Sequence, residues 1–382
     1  MNIWFLFGSQ STEHEVSIAS AFGIMQGFLK NTDHKVFPLY ITTKGQRVYE
    51  PDFLDPKQVN TLIRKDYSDT QFSIDFSKTG KLYATQKKQG VRGKKSDLEL
   101  DLLFFMLHGK NGEDGTAQGI CQILDIPFVS PWVLGSAIGM NKVVMKDVFK
   151  SHEIPQTKYI ILSQGEETAR AKEVEQLAFP LFVKPANLGS SIGVSKVHNE
   201  KELQQALEIA FHYDHQAICE QAVSNLVELN CSIIAHKGEI KTSCIEKIST
   251  NAHFLSFEEK YLNEGGTMHG IEKKVEIPAK IPAHVEKQVF ALCQQVGRVL
   301  HVDGGAPRID FLWDEKNDIL YVNEINTIPG AMQLHLWNAS GVRTEEFFDM
   351  LVENAFWRRD QEKQKSIEFS SSIIDLTVNF KK

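Results

Sequence analysis

The run LDLLFFMLHG, residues 100–109, constrains the fold more than any other stretch of the chain. A strand with one face in water alternates apolar and polar residues, whereas a strand covered on both faces can be apolar throughout. Leu102 to Leu107 contains no polar residue, so it reads as an inner strand of a parallel sheet with helices on both sides. Its surroundings fit. NIWFLFG (2–8) and KVFPLYIT (35–42) are strands, and Ser17–Leu29 between them has helical spacing. Strands alternating with helices predict a doubly wound α/β unit over residues 1–134, with ligands at the carboxyl ends of its strands. From Thr43 to Glu99 the chain is polar and broken by prolines and glycines, and loops with short elements are expected there.

The rest of the chain reads as α+β. Residues 135–222 hold a helix near Lys142–His152, strands YIILS and FPLFVKP, and a helix at Glu200–Phe211. Residues 223–382 hold hairpin-rich strands, a helix at His284–Leu300, and a tail that ends in the strand-like SIIDLTVNF (372–380). A net charge of −7 with scattered lysines and arginines argues against nucleic acid as a partner. No apolar run reaches the roughly 18 residues of a membrane span, and MNIWFLF is short and lacks a basic leader. The five cysteines, odd in number and without CxxC spacing, suit a reducing cytoplasm and argue against a disulfide framework or a zinc site.

Four stretches carry chemistry. In RIDFLWDEKNDILYVNEIN (308–326) two alternating runs flank a polar turn, a hairpin signal. With the turn centred near Lys316, Arg308 faces Glu324 and Asp310 faces Val322. Arg308, Asp310, Glu324 and Asn326 then share one face. Two carboxylates and an amide there form an oxygen site for a hard cation such as Mg²⁺. An exposed polar face with an Arg–Glu pair is the plainer alternative. FPLFVKPANLGSSIGVSKV (179–197) ends a strand at Lys184 and continues into Gly189, Ser190, Ser191 and Gly193, a loop suited to an anion. It is neither a Walker A loop nor a dinucleotide fingerprint. HGKNGEDGTAQG (108–119) follows the apolar strand and offers His108, Glu113 and Asp114. GSQSTEHEVSIASA (8–21) is the first strand-to-helix turn, and its spacing does not choose between Glu13 and Glu15.

In this order GSQSTEHEVSIAS, HGKNGEDGTAQG, FVKPANLGSSIGVSKV, FEEKY and RIDF…VNEINTIPG resemble the D-alanine–D-alanine ligase family of ATP-grasp enzymes, over residues 3–360. The resemblance implies a three-domain architecture: an N-terminal domain on the first-substrate side (1–134), a central ATP-grasp subdomain (135–222), and a C-terminal domain with metal site, lid and an extended tail (223–382). It implies a cytoplasmic enzyme of peptidoglycan synthesis that uses ATP and two Mg²⁺ ions, with Mn²⁺ as an alternative, and a homodimer by family habit. By the same resemblance Asp310, Glu324 and Asn326 hold the metal. Lys142, Lys184, Ser190, Ser191 and Lys260 meet the phosphates, and Glu220 and Glu228 read adenine and ribose. Glu15, Ser190 and Tyr261 form a hydrogen-bonded set around the first substrate's amine, and His108 lies in its pocket. Arg308 and the Gly330 N–H stabilise the oxyanion. Tyr261 is absent from relatives that make D-alanyl-D-lactate, which favours an amine as acceptor.

The sequence also departs from the family pattern. After NEINTIPG the family has a longer loop whose serine grips the second substrate's carboxylate. Here AMQLHLW is shorter and has no hydroxyl, leaving Gln333 or His335 as substitute donors or implying a different acceptor. Asn141 stands where aspartate is usual, Pro307 precedes the arginine, and the tail after Arg359 is not a usual part of the family.

Overall fold

The computed structural model describes residues 1–76, 82–88, 96–167, 169–250 and 273–366. The N-terminal unit opens with β1 (Asn2–Gly8), α1 (His14–Asn31), β2 (Lys35–Ile41) and β3 (Arg47–Tyr49). It continues with β4 (Thr70–Phe76), β5 (Leu82–Lys88), β6 (Ser96–Glu99), β7 (Leu102–Phe105), α2 (Thr116–Ile123) and β8 (Phe128–Val129). The main sheet has the order β3-β2-β1-β7-β8. β1 runs parallel to β2 and β7, and β7 to β8, while the edge strand β3 is antiparallel. The apolar run is therefore inner strand, as its composition requires, and Leu102 to Leu107 are at most 3% exposed. Phe5 of β1 stacks on Phe104 of β7 at 4.7 Å, which ties neighbouring strands through their side chains.

The polar stretch after Thr43 is more ordered than expected, because β4, β5 and β6 form an antiparallel sheet of their own. Phe72, Ile74 and Leu98 of that sheet pack on the N-terminal core. The period-two spacing of Phe72 and Ile74 was present in the sequence but short, and it was masked by the polar residues around it.

Two helices, α3 (Val133–Met140) and α4 (Lys142–Ser151), lead into a second, antiparallel sheet. Asn141 caps α4 by accepting from the Val144 N–H at 2.9 Å, so the departure from aspartate keeps the capping function. The second sheet contains β9 (Tyr159–Ser163), β10 (Leu181–Pro185), β11 (Ser195–Val197) and β12 (Gln216–Gln221), with α5 (Glu200–Tyr213) against it. Its order is β11-β10-β12-β9. The third sheet contains β13 (Leu226–His236), β14 (Glu239–Thr250), β15 (Lys273–Glu276), β16 (Arg308–Asp314) and β17 (Ile319–Asn326), with α6 (Ala283–Val299) across it. Its order is β15-β14-β13-β16-β17. The described chain closes with α7 (Leu334–Ala339) and α8 (Thr344–Lys363). The strand-like segment 372–380 lies outside the described residues. The cysteines are free, and no described helix is long and apolar enough to cross a membrane.

Helix α8 returns to the first unit. Phe347, Phe348 and Leu351 join the N-terminal core, and Phe348 meets Phe28 edge-on at 4.7 Å. Further along, the buried Arg358 guanidinium sits 5.2 Å from the Phe128 ring and 5.1 Å from the Trp132 ring, donating to the Ser130 carbonyl at 2.7 Å. Burial pulls its pKa down to about 10, so it stays a cation at neutral pH. Arg358→Ala removes the carbonyl's donor and opens a gap between two rings. A loss of about 3 kcal/mol is expected, read as a lower midpoint in urea denaturation.

Candidate active site

The hairpin of β16 and β17 pairs Arg308 with Asn326 and Asp310 with Glu324, then Phe311 with Val322, leaving Asn323 as an extra residue on β17. This replaces the regular register centred on Lys316, in which Arg308 faced Glu324 and Asp310 faced Val322. The bulge decides the chemistry. Leu320 and Val322 are core residues, and strict alternation would carry Glu324 and Asn326 into the core with them. One extra residue inverts the phase: Ile325 goes inside, and Asn323, Glu324 and Asn326 come to the open face. Arg308 and Asp310 reach the same face by alternating with the buried Ile309 and Phe311.

On that face Arg308 grips Asp310 in a fork, Nε to Oδ1 at 2.5 Å and one Nη to Oδ2 at 2.7 Å. Its partner is thus Asp310 in its own strand rather than Glu324. The Asn326 amide donates to the same carboxylate at 2.9 Å. Glu324 lies 3.1 Å from Lys142 Nζ, which also donates to the Leu188 carbonyl at 2.8 Å. Among the described residues no three His, Cys, Asp or Glu side chains gather into a metal cluster. The donor set here is two carboxylates and an amide, which suits a hard cation that completes its shell with water and phosphate oxygens.

The Lys184 ammonium, at the end of β10, lies 2.6 Å from Glu220 Oε2 and 3.3 Å from Asn323 Oδ1. The other Glu220 oxygen accepts from Lys146 at 2.6 Å and from the Thr157 hydroxyl. Burial alone would raise the Glu220 carboxyl, but the two ammonium groups outweigh it and hold it below the usual carboxylate range. Burial likewise works against the Lys184 charge, and Glu220 and Glu324 overcome it, leaving its pKa above that of an ordinary lysine. Both oxygens of Glu220 are therefore engaged by cations here, a role its sequence context did not suggest. Lys146 was missed entirely. Its only signal is its place one helical turn beyond Lys142 on α4. Lys142, Lys184, Glu220, Glu228, Asp310 and Glu324 line one cleft, and Ser190 and Ser191 close its side. Both serines have left-handed backbone, φ 53° and 59°, as a tight anion-cradling loop requires.

Across Ser190 the structure corrects the choice between the two glutamates. Glu13, just before α1, accepts a hydrogen bond from the Ser190 hydroxyl, and it is only 5% exposed. Glu15, one position into the helix, is exposed. Glycines make room for the Glu13 carboxylate: a Cβ on Gly189 would stand 3.1 Å from Oε1, and one on Gly109 would stand 2.6 Å from Oε2. Oε2 of Glu13 and Nε2 of His108 are buried with no hydrogen-bond partner among the described residues. Burial, reinforced by the nearby Glu113, raises the Glu13 pKa, and burial lowers that of His108. A buried carboxylate oxygen and a buried imidazole nitrogen without partners among the described residues call for a polar ligand to satisfy them. Glu113 straps two loops together, accepting from the Gly109 N–H at 2.9 Å and from the Ile328 N–H at 2.9 Å.

After Gly330 the backbone of Ala331, Met332 and Gln333 is left-handed, with φ of 45°, 47° and 54°. Gln333 folds back to donate to the Gly330 carbonyl at 3.2 Å, and His335 Nε2 lies 3.5 Å from Glu246 Oε1. Lys260 and Tyr261 lie outside the described residues.

The sheets β9–β12 and β13–β17, with an acid- and lysine-lined cleft between them, define an ATP-grasp protein. Two solved structures superpose on the chain. The D-alanine-D-alanine ligase from Coxiella burnetii has TM-score 0.75 and 26% identity, covering 95% of this chain and 96% of that one. The VanG D-Ala:D-Ser ligase from Enterococcus faecalis has TM-score 0.73 and 27% identity, covering 93% and 99%. Residues 2–131 match the family described as D-ala D-ala ligase N-terminus, and 148–353 match D-ala D-ala ligase C-terminus. The D-alanine–D-alanine ligase of Thermosipho melanesiensis is 34% identical over 388 residues, covering 99% of both chains. The chain belongs to the D-alanine–D-alanine ligase family.

The two glutamates can be told apart in a ligase assay. Glu13→Gln should raise the amino-acid KM about tenfold or more, the worth of one charge-assisted hydrogen bond, while Glu15→Gln should stay within about twofold. An ammonium needs Glu13 ionised, and its pKa is raised. In the unaltered protein kcat/KM should therefore fall as the pH drops through a value above the usual carboxylate range, and Glu13→Gln should remove that limb.

Proposed function

We propose that the protein joins two D-alanines at the expense of ATP, through a D-alanyl phosphate, and supplies the dipeptide for peptidoglycan in the cytoplasm. The observation that carries this reading is the pairing of two half-sites across Ser190. On one side is the strip of Arg308, Asp310, Glu324 and Asn326 with Lys142 and Lys184 over it. On the other are an oxygen of Glu13 and a nitrogen of His108 that have no partner among the described residues.

Asp310, Glu324 and Asn326 would hold Mg²⁺, two ions, or Mn²⁺ in their place, and the metal would supply charge neutralisation for phosphoryl transfer. The chain's own groups do the rest. Glu13, fixed by Ser190, accepts from the first D-alanine's ammonium and sets its carboxylate toward the cleft. Lys142, Lys184 and Lys260 neutralise the triphosphate, while Glu228 meets the ribose. The γ-phosphoryl group passes to a carboxylate oxygen and ADP leaves. The amine of the second D-alanine then attacks the carbonyl carbon and loses a proton, and inorganic phosphate departs with its bonding pair. Arg308 and the Gly330 N–H donate to the oxyanion that forms in between. Tyr261 completes the Glu13–Ser190 set and helps keep water from the acyl phosphate.

A second reading keeps this chemistry and changes the acceptor. It is favoured by the turn after Gly330, where Gln333 bonds to its own turn and His335 to Glu246, so neither is presented as an open donor. The deciding experiment incubates the protein with ATP, Mg²⁺ and D-alanine, alone and with a panel of amino and hydroxy acids. Phosphate and dipeptide from D-alanine alone are expected. Phosphate released only with another amine would replace the first reading by the second, and nucleotide binding without turnover would refute both. Glu324→Ala should cut turnover about a thousandfold or more with an unchanged circular dichroism spectrum, since the side chain lies outside the core.

A further inference from the structure

We propose that Lys146 is a positioning residue for the nucleotide: it holds the Glu220 carboxylate from behind, so that Lys184 can leave Glu220 for the phosphates. This rests on the nucleotide reading of the cleft.

Glu220 is a single carboxylate shared by two ammonium groups, with Lys146 Nζ 2.6 Å from one oxygen and Lys184 Nζ 2.6 Å from the other. The two lysines differ in access. The Lys184 side chain is 14% exposed and lines the cleft, whereas that of Lys146 is 2% exposed and does not. Lys146 cannot touch a bound nucleotide and can only act through Glu220. Its surroundings are built to keep it there. Tyr159, which pairs with Glu220 across β9 and β12, lies under the Lys146 ammonium at 5.0 Å, and Thr157 donates to the same Glu220 oxygen. Lys142 and Lys146 stand one helical turn apart on α4, so a single helix places one cation on Glu324 and the other on Glu220.

The arithmetic of charge gives this arrangement its purpose. A buried carboxylate stripped of its only counter-ion is strongly disfavoured, so a lone Glu220–Lys184 pair would resist opening. With Lys146 present, Glu220 is already neutralised, and the trio carries one surplus positive charge. That surplus sits on Lys184, the member that reaches the cleft. An arriving anion can draw Lys184 away without leaving a bare carboxylate behind. Without Lys146, Lys184 would be trapped on Glu220.

The test uses the full-length protein and the variants Lys146→Met and Lys146→Gln, the latter keeping a hydrogen-bond donor without the charge. ATP binding by calorimetry and the separate KM values for ATP and D-alanine are the readouts. The expected result for both variants is an ATP KM and dissociation constant raised about tenfold or more, with the D-alanine KM within about twofold. In a Glu220→Gln background, where no carboxylate traps Lys184, adding Lys146→Met should change ATP affinity by less than about twofold. A role confined to tying α4 to the second sheet would lower the melting temperature and the active fraction while leaving the ATP KM of folded protein unchanged. That result, or additive effects of the two substitutions, overturns the proposal. Failure of the unaltered protein to bind ATP would instead overturn the nucleotide reading itself.

Discussion

Asn323 adds a residue to β17 that β16 does not match, and the two faces of the hairpin exchange places there. Everything polar in the cleft depends on that exchange. Before it, Leu320 and Val322 pack into the second hydrophobic core beside Phe311 and Trp313. After it, Ile325 takes over the core position and Glu324 and Asn326 are turned out beside Arg308 and Asp310. The extra residue is itself used, since its side chain accepts from Lys184 at 3.3 Å. Bulges recur where a strand must re-aim a side chain, and here one bulge aims an acidic group at a neighbouring sheet.

Carboxylates brought so close would repel one another and take up protons unless cations lay between them. The structure interleaves the signs. Arg308 holds Asp310, Lys142 holds Glu324, and Lys184 spans from Glu220 toward the bulge. The cations come from different places in the chain: β16, the first turn of α4 and the end of β10. The cleft is thus a junction of the second and third sheets made by electrostatics, while Glu113 fastens its far rim by bonding to the loops after β7 and β17 at once. Helix α8 fixes the remaining degree of freedom by burying Phe347, Phe348 and Leu351 in the N-terminal core.

Much of this was legible in the sequence, and the exceptions have physical causes. The uninterrupted apolar run from Leu102 to Leu107 could only be an inner strand, and the motif-bearing loops follow the strands that deliver them. Spacing did not separate Glu13 from Glu15 and the resemblance was carried onto Glu15, where the structure has Glu13, because the choice turns on which residue starts α1. A helix terminus is not readable to a single residue, and a shift of one position rotates a side chain by about 100°. Alternation placed Arg308, Asp310, Glu324 and Asn326 together but carries no sign of an inserted residue, so the register came out wrong while the face came out right. The pairing of Lys146 with Glu220 joins residues 74 apart, and no local pattern marks it.

The turn that follows Gly330 shows what the short loop costs and what offsets that cost. Left-handed backbone at a residue with a Cβ is disfavoured by about 1 kcal/mol or more, and Ala331, Met332 and Gln333 adopt it in succession. The strained turn drives Met332 into the N-terminal core, where it is 1% exposed, and burial of such a side chain contributes about 2 kcal/mol. It also draws Gln333 back over the Gly330 carbonyl and starts α7 at once, so that Trp337 is buried and its indole N–H donates to Ser232 at 2.9 Å. A longer loop could present a donor to the acceptor's carboxylate without entering the core. This one is pinned at both ends by packing, with Met332 and Trp337 buried and His335 held against Glu246.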